Sequence, residues 1–354
     1  MDPQTPYQGR GAPFNPQNRF EEIRIERDPD NELPDDPSPT TRFFRDTTRT
    51  LISYNDSPDL PFSASFNPYR GCEHGCIYCY ARPYHEYLGL SAGLDFESKI
   101  WVKDQAPALL RHELSSPRWL PQTLMVSGVT DCYQPVERRL QITRECLKIL
   151  AECRHPVALI TKNALITRDI DVFQELAAVQ AVSVTISITT LRPDLAATME
   201  PRASAPATRL AAIRALADAG IPVGVNVAPI IPGLTDSEAP AILKAAREAG
   251  AQHAGFTIVR LPHAVKILFE QWLTHYYPDR KNKVLNRIRE VRGGKLNDPK
   301  FGSRIGGVGV YARQIEDLFR IARRKAGYPE DERYALSAAS FRRPAGNQLE
   351  FFAV

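Results

Sequence analysis

Three cysteines, Cys72, Cys76 and Cys79, fall within eight residues in the segment Asn67–Ala81 (NPYRGCEHGCIYCYA), spaced C-x3-C-x2-C. Thiolates so close in sequence can converge on one small metal centre if the backbone loops around it. They select zinc, copper(I) or iron–sulfur clusters. Structural zinc normally takes four protein ligands. The chain has no second C-x2-C or H-x3-H pair, so a fourth ligand would have to be His74, His85 or the distant Cys132. A four-iron cluster on three cysteines instead leaves one iron open, which suits substrate binding rather than electron storage. Three unliganded core cysteines are the remaining reading. Glu73, His74 and Gly75, which lie between the first two, suit a buried segment poorly.

The rest of the chain must position this segment. Its 354 residues are 43% hydrophobic and 24% charged, enough for one large α/β domain or two ordinary ones, and the composition excludes collagen, coiled coil and wholesale disorder. No apolar run is long enough to span a bilayer, and the N-terminus (MDPQTPYQGRGAPFNPQNRF) has no apolar signal core. The expectation is a cytoplasmic protein with no membrane partner, whose six cysteines are ligands, catalysts or core residues rather than disulfides.

Residues 1–60 carry nine prolines and predict a largely irregular extension rather than a domain. From about residue 61 to 262, β-branched runs alternate with helical periods. Strands are predicted at Leu124–Ser127, Val157–Thr161, Val182–Ile188, Pro222–Ile230 and Ala254–Val259. A helix is predicted over Val136–Cys153, with Cys146 and Cys153 in its core face, and another after an N-cap at Thr167. A third stops at Gly220, and a fourth runs from a capping box, Thr235-x-x-Glu238, to Gly250. Such alternation implies parallel strands covered by helices, as an open sheet or a barrel, with ligands at the C-terminal strand ends. Residues 263–328 read as a helical extension broken by glycines between Gly293 and Gly309, and 329–354 as a flexible tail.

C-x3-C followed by x, an aromatic residue (Tyr78) and a third cysteine is the signature of the radical S-adenosylmethionine (SAM) enzymes. With Tyr80 directly after the last cysteine, the segment resembles their spore photoproduct lyase-like, or DNA repair photolyase-like, branch. The resemblance implies a partial (βα)6 barrel and a [4Fe-4S] cluster on Cys72, Cys76 and Cys79, whose open iron takes the amino-acid end of SAM. An electron from a donor such as flavodoxin or ferredoxin would then release a 5′-deoxyadenosyl radical that takes hydrogen from a substrate, a DNA lesion among the candidates. The alternatives are radical chemistry on RNA, a peptide or a small molecule, and a non-enzymatic iron–sulfur or zinc protein that binds nucleic acid.

The same resemblance assigns SAM contacts to Ser127, Gly128, Thr130 and Asp131 after one strand, where the common Gly-Gly-Glu form is absent. It assigns others to Tyr78, to Lys162 near the SAM carboxylate and to Ser187 near the ribose or carboxylate, with Arg202 and Asn226 as weaker candidates. Tyr78 and Tyr80 match tyrosines that relay hydrogen in that branch, and Cys132 is a candidate donor, although Cys132 follows its Thr-Asp pair where the lyase cysteine precedes its own. A plain buried cysteine is the other reading of that position. His85-Glu86 could be an acid–base pair or a local hydrogen bond.

Arg280–Lys325 holds 14 Lys and Arg against four acids, a local balance of +10 in a chain of net +4. This favours a polyanion such as DNA or another nucleic acid, or else marks solvated helix faces. The terminal Gln348-Leu349-Glu350-Phe351-Phe352 resembles peptides that dock repair proteins onto the sliding clamp.

Overall fold

Where the sequence runs Leu-Met-Val, Val-Ala-Leu-Ile-Thr or Val-Ser-Val-Thr-Ile-Ser, the chain is extended. A computed structural model describes residues 7–20, 39–329 and 335–344. Its strands are β1 (Arg42–Arg45), β2 (Ser53–Tyr54), β3 (Ala64–Phe66), β4 (Tyr69–Arg70), β5 (Lys99–Val102), β6 (Leu124–Val126), β7 (Val157–Thr161), β8 (Val182–Ser187), β9 (Val223–Ile230) and β10 (His253–Ile258). The main sheet runs β10-β9-β8-β7-β6-β3-β2. From β3 to β10 every pairing is parallel, and only β2 runs antiparallel, on the outer edge of β3. Six parallel strands in sequence order, with helices between them and two free edges, make a partial (βα)6 barrel rather than a closed one.

Strand periodicity gives the sheet two unlike faces. Phe66, Val126, Leu159, Val184 and Val223 stand in register and are buried against the helices. The opposite face presents Ser65, Met125, Ala158, Ser183, Thr185 and Asn226, mostly small or polar and only half-buried. With helices packed on the other face, this one lines the inside of the partial barrel, the hollow at whose mouth the C-terminal strand ends stand.

Several local expectations are corrected. The helix predicted over 136–153 is two, Glu137–Leu140 and Ile142–Glu152, hinged at Gln141 in a left-handed conformation (φ 54°). Cys146 and Cys153 are core residues nonetheless. Thr167 caps nothing: its hydroxyl donates to the Ala164 carbonyl, and the cap is Asn163, whose side chain accepts from the Leu165 N–H. Thr235-x-x-Glu238 is no capping box. Thr235 Oγ1 accepts from the Ile231 N–H, and Glu238 accepts from the Thr190 hydroxyl and the Leu191 N–H. Gly220 and Gly250 do follow helices that end at Asp218 and Glu248.

The proline-rich N-terminus is also more integrated than its composition suggests. β1 pairs with β5 and β2 with β3, and residues 10–12 are buried. The basic C-terminal stretch supplies the helices Pro278–Val291 and Gly309–Lys325. Gln348–Phe352 lies outside the described residues.

Candidate active site

The loop after β4 carries the three cysteines, and buried polar groups fix it from several sides. Arg82 is fully buried and uses all five of its N–H donors. Nε donates to the Cys76 carbonyl (3.0 Å), Nη1 to the carbonyls of Ala92 and Gly93, and Nη2 to the Gly75 carbonyl and to Glu97 Oε1 (3.0 Å). Glu97 is buried too and accepts from the N–H groups of Gly11 (2.9 Å) and Ala12 (2.8 Å). The N-terminal segment is thereby clamped over the cysteine loop. The fit requires glycine: a Cβ on Gly11 would collide with the Gly75 carbonyl, and Gly75 itself has φ +68° with Glu97 Oε2 where a Cβ would go.

Glu73, His74 and Gly75 are buried, contrary to the sequence expectation, because each polar group has a partner. Glu73 pairs with Arg202 (3.2 Å) and accepts from the Val136 N–H. Gln134 is buried between the strands and the loop. It accepts from the Glu73 N–H and donates to the Gly71 carbonyl. His74 lies 3.3 Å from Asp131 and 3.2 Å from the Asn163 amide.

Burial pushes all three thiols up, with Asp131 and Cys76 adding to the push at Cys72, and Glu200 adding to it at Cys76. A thiolate there needs a cationic centre to hold its charge, and a bound metal supplies one. Among the described residues no three His, Cys, Asp or Glu converge as ligands of a single metal ion.

Tyr78 points away from solvent. Its hydroxyl donates to Glu200 and meets Thr189 Oγ1 at 3.2 Å. Glu200 is the hub of this layer: Arg209 and the Thr189 hydroxyl donate to it, and Lys162 Nζ is 3.9 Å away. Burial pushes the Glu200 carboxyl up, but Arg209 and Lys162 outweigh it and bring it down to about 2. Lys162 extends from the end of β7 past β8 to donate to the Ala228 carbonyl of β9 (2.9 Å), with its ammonium 5.9 Å from the centre of the Tyr78 ring. Ser187 ends β8, beside Asn226 on the hollow face.

The β6 loop is tied to itself and its neighbours. Ser127 takes φ 77°, donates to the Thr130 carbonyl and accepts from the Cys132 N–H. The Thr130 hydroxyl donates to the Tyr69 carbonyl. Asp131 accepts from the Thr161 hydroxyl (2.7 Å) and from the N–H groups of Lys162 (2.8 Å) and Tyr133. Burial raises its carboxyl, but His74 first, then Thr161 and the Lys162 N–H, bring it down to about 2. Its oxygens thus join the ends of β6 and β7 to the cysteine loop. Gly128 faces open space, and its carbonyl accepts from the Tyr80 hydroxyl (2.6 Å). Cys132 is fully buried among core side chains.

The chain matches the radical SAM superfamily over residues 66–246. The chain belongs to that superfamily. An uncharacterised protein of Mycobacterium tuberculosis is 36% identical over 245 residues, 68% of this chain and 71% of its own. One from Methanocaldococcus jannaschii is 29% identical over 172 residues, 49% of this chain and 62% of its own. Among solved structures, a cysteine-to-serine mutant of spore photoproduct lyase superposes with a TM-score of 0.59 at 17% identity, covering 80% of this chain and 79% of that one. Spore photoproduct lyase complexed with dinucleoside spore photoproduct superposes with a TM-score of 0.58 at 17% identity over the same shares. At that identity the likeness is one of fold. A further neighbour carries bound AdoMet.

Radical SAM enzymes use a [4Fe-4S] cluster and SAM and draw electrons from a reductant. In this radical SAM enzyme the supporting residues Arg82, Glu97, Gln134, Glu200 and Arg209 were not legible as such. Each is a charged or amide side chain in a helical or loop stretch, and only its burial marks it. His85 and Glu86 form no acid–base pair. The His85 ring lies edge-on to Phe96 and Trp101, while Glu86 accepts from Arg19 (2.6 Å).

His85 and His155 are both buried, which brings each down to about 4. Their neutral forms are favoured when folded, so stability is full above about 6.5 and falls as pH drops from about 6.5 to about 4, where only the unfolded chain gains the proton. The loss is on the order of 3 kcal/mol per histidine. Urea midpoints at pH 7 and pH 4.5 should differ accordingly. Equal midpoints would mean that neither ring is held neutral.

Proposed function

We propose that this enzyme holds a [4Fe-4S] cluster on Cys72, Cys76 and Cys79 and acts on a nucleotide in DNA. The carrying observation is a loop of three thiols, Cys72 and Cys76 buried and Cys79 half-buried, braced from beneath by Arg82 and Glu97, at the C-terminal mouth of a parallel sheet with a hollow, half-polar face. When bound, the cluster and SAM supply reductive cleavage of the sulfonium and a 5′-deoxyadenosyl radical that abstracts hydrogen. The chain's own part is to bind and orient. Lys162 offers an ammonium to the SAM carboxylate, and the open space at Gly128 admits its amino end, while Ser187 and Asn226 face the sugar. Ser127, Thr130 and Asp131 hold the β6 loop in shape, and Tyr78 is fixed by Glu200. Tyr80 stands at the mouth, where it can meet substrate.

A DNA substrate is supported by the fold shared with spore photoproduct lyase, one structure of which holds a dinucleoside spore photoproduct. The basic C-terminal stretch lends less support than its charge suggests. Arg292 is buried, donating to the carbonyls of Val259, Ile258 and Ser303, and Arg304 pairs with Asp59 (2.6 Å). Flavodoxin or ferredoxin would serve as electron donor. We further propose that the helices after residue 262 extend the barrel unit of residues 61–262.

The test is anaerobic turnover with UV-irradiated, deuterated DNA. Deuterium should appear in 5′-deoxyadenosine. Turnover that responds to RNA or a peptide but not to DNA would replace this substrate class.

A further inference from the structure

The rim beside the cysteine loop carries exposed aromatic rings. Tyr84, Tyr87 and Phe20 are 54%, 69% and 55% exposed. Tyr84 and Tyr87 are three residues apart on the 3-10 turn Arg82–Leu88, where such residues eclipse one another, and their ring centres are 6.4 Å apart. Phe20 stacks on Tyr87 at 4.9 Å. Contiguous exposed rings are uncommon on a protein surface and mark interaction sites.

A guanidinium closes the ribbon at each end. Arg19 sits over Phe20 at 4.9 Å, and Arg260 over Tyr80 at 4.7 Å. Arg19 is held there by Glu86, whose side chain is fully buried, so the cation is presented and its counter-charge is not. Among the described residues that form the ribbon, no carboxylate is exposed. Toward the barrel the Tyr80 hydroxyl meets the Gly128 carbonyl, which places the Tyr80 ring against the candidate SAM loop.

We propose that this ribbon binds an unpaired strand of DNA and leads it to the hollow, bases lying on the ring faces and phosphates meeting Arg19 and Arg260. Rings with flanking cations suit single strands of any sequence, because every base has a face to stack and every nucleotide a phosphate. A duplex keeps its bases stacked inside and gains little from the rings. The identification of DNA rests on the function proposed above, whereas the ribbon itself rests on the geometry of its rings and guanidiniums.

The test is fluorescence anisotropy of a labelled oligothymidine with the full chain, read without cluster or SAM. The wild type should bind, more weakly as salt rises. The double variant Tyr84→Ala/Tyr87→Ala should lose about tenfold or more in affinity, and Tyr84→Phe/Tyr87→Phe should bind as the wild type does. Arg19→Ala should lower the slope of log affinity against log salt by about one, which tests the ribbon even if the alanine pair fails to fold. The proposal is overturned by absent wild-type binding, by equal binding of a folded alanine pair, or by equal loss in the phenylalanine pair. An unchanged salt slope for Arg19→Ala, or tighter binding to duplex DNA or to oligouridine, also overturns it. SAM cleavage by the same preparation is scored separately. Cleavage without strand binding removes the ribbon alone, and strand binding without cleavage removes the proposed chemistry alone.

Discussion

Cys76→Ala should emerge from anaerobic reconstitution without the brown colour of a cluster, and SAM cleavage should fall to background. Cys76 is the middle of the three thiols, and its own carbonyl accepts from Arg82 Nε. Removing the sulfur leaves two thiols, which cannot hold a cluster designed around three. The backbone that carries it stays braced, so the effect should be on cofactor and not on fold. The measurement is the visible spectrum with 5′-deoxyadenosine production after reduction, beside a thermal melt of the apo-protein. A cluster retained at wild-type yield would move a ligand elsewhere, to His74 or Cys132.

Arg82→Met should be the most destabilising single change in the site. The methionine fills much of the volume but donates nothing, leaving Glu97 as a buried carboxylate without its cation and four loop carbonyls without their donor. Breaking a buried pair from one side costs about 3–5 kcal/mol. Urea unfolding of the apo-protein should show a loss of that size, and Arg82→Met/Glu97→Gln should lose less than the two single changes summed, because the orphaned charge is gone. A loss below about 1 kcal/mol would mean that the pair does not brace the loop.

The sheet was legible because its strands announce themselves. Val182–Ser187 alternates core and hollow residues through Val182, Val184 and Ile186, and glycines at 220 and 250 mark where helices stop. The cysteines were legible because few chemistries use three thiols at that spacing. What could not be read were the long-range partners. Thr235 and Glu238 have the spacing of a capping box, yet each is drawn to a group that only the fold brings near: the Ile231 N–H for one, and the Thr190 hydroxyl and Leu191 N–H for the other. Arg82 and Glu97 look like solvated charges on short elements, and their burial depends on Gly11 and Ala12, which reach Glu97 from more than 80 residues away. Asp131 was singled out for SAM by its place after a strand. Its acceptors are taken up by Thr161, Lys162, Tyr133 and His74, groups from two other segments as well as its own. The exposed rings of Tyr84 and Tyr87 carry no sequence signal, because an aromatic pair three apart is as compatible with a core-facing turn as with an open one.

The most direct test of the whole account is Mössbauer spectroscopy of the oxygen-free, iron-reconstituted wild type before and after SAM is added. The account predicts about four irons per chain in one cluster, with about one quarter of the signal changing when SAM binds. A protein that holds zinc in place of iron, or a cluster whose irons are all indifferent to SAM, would contradict it.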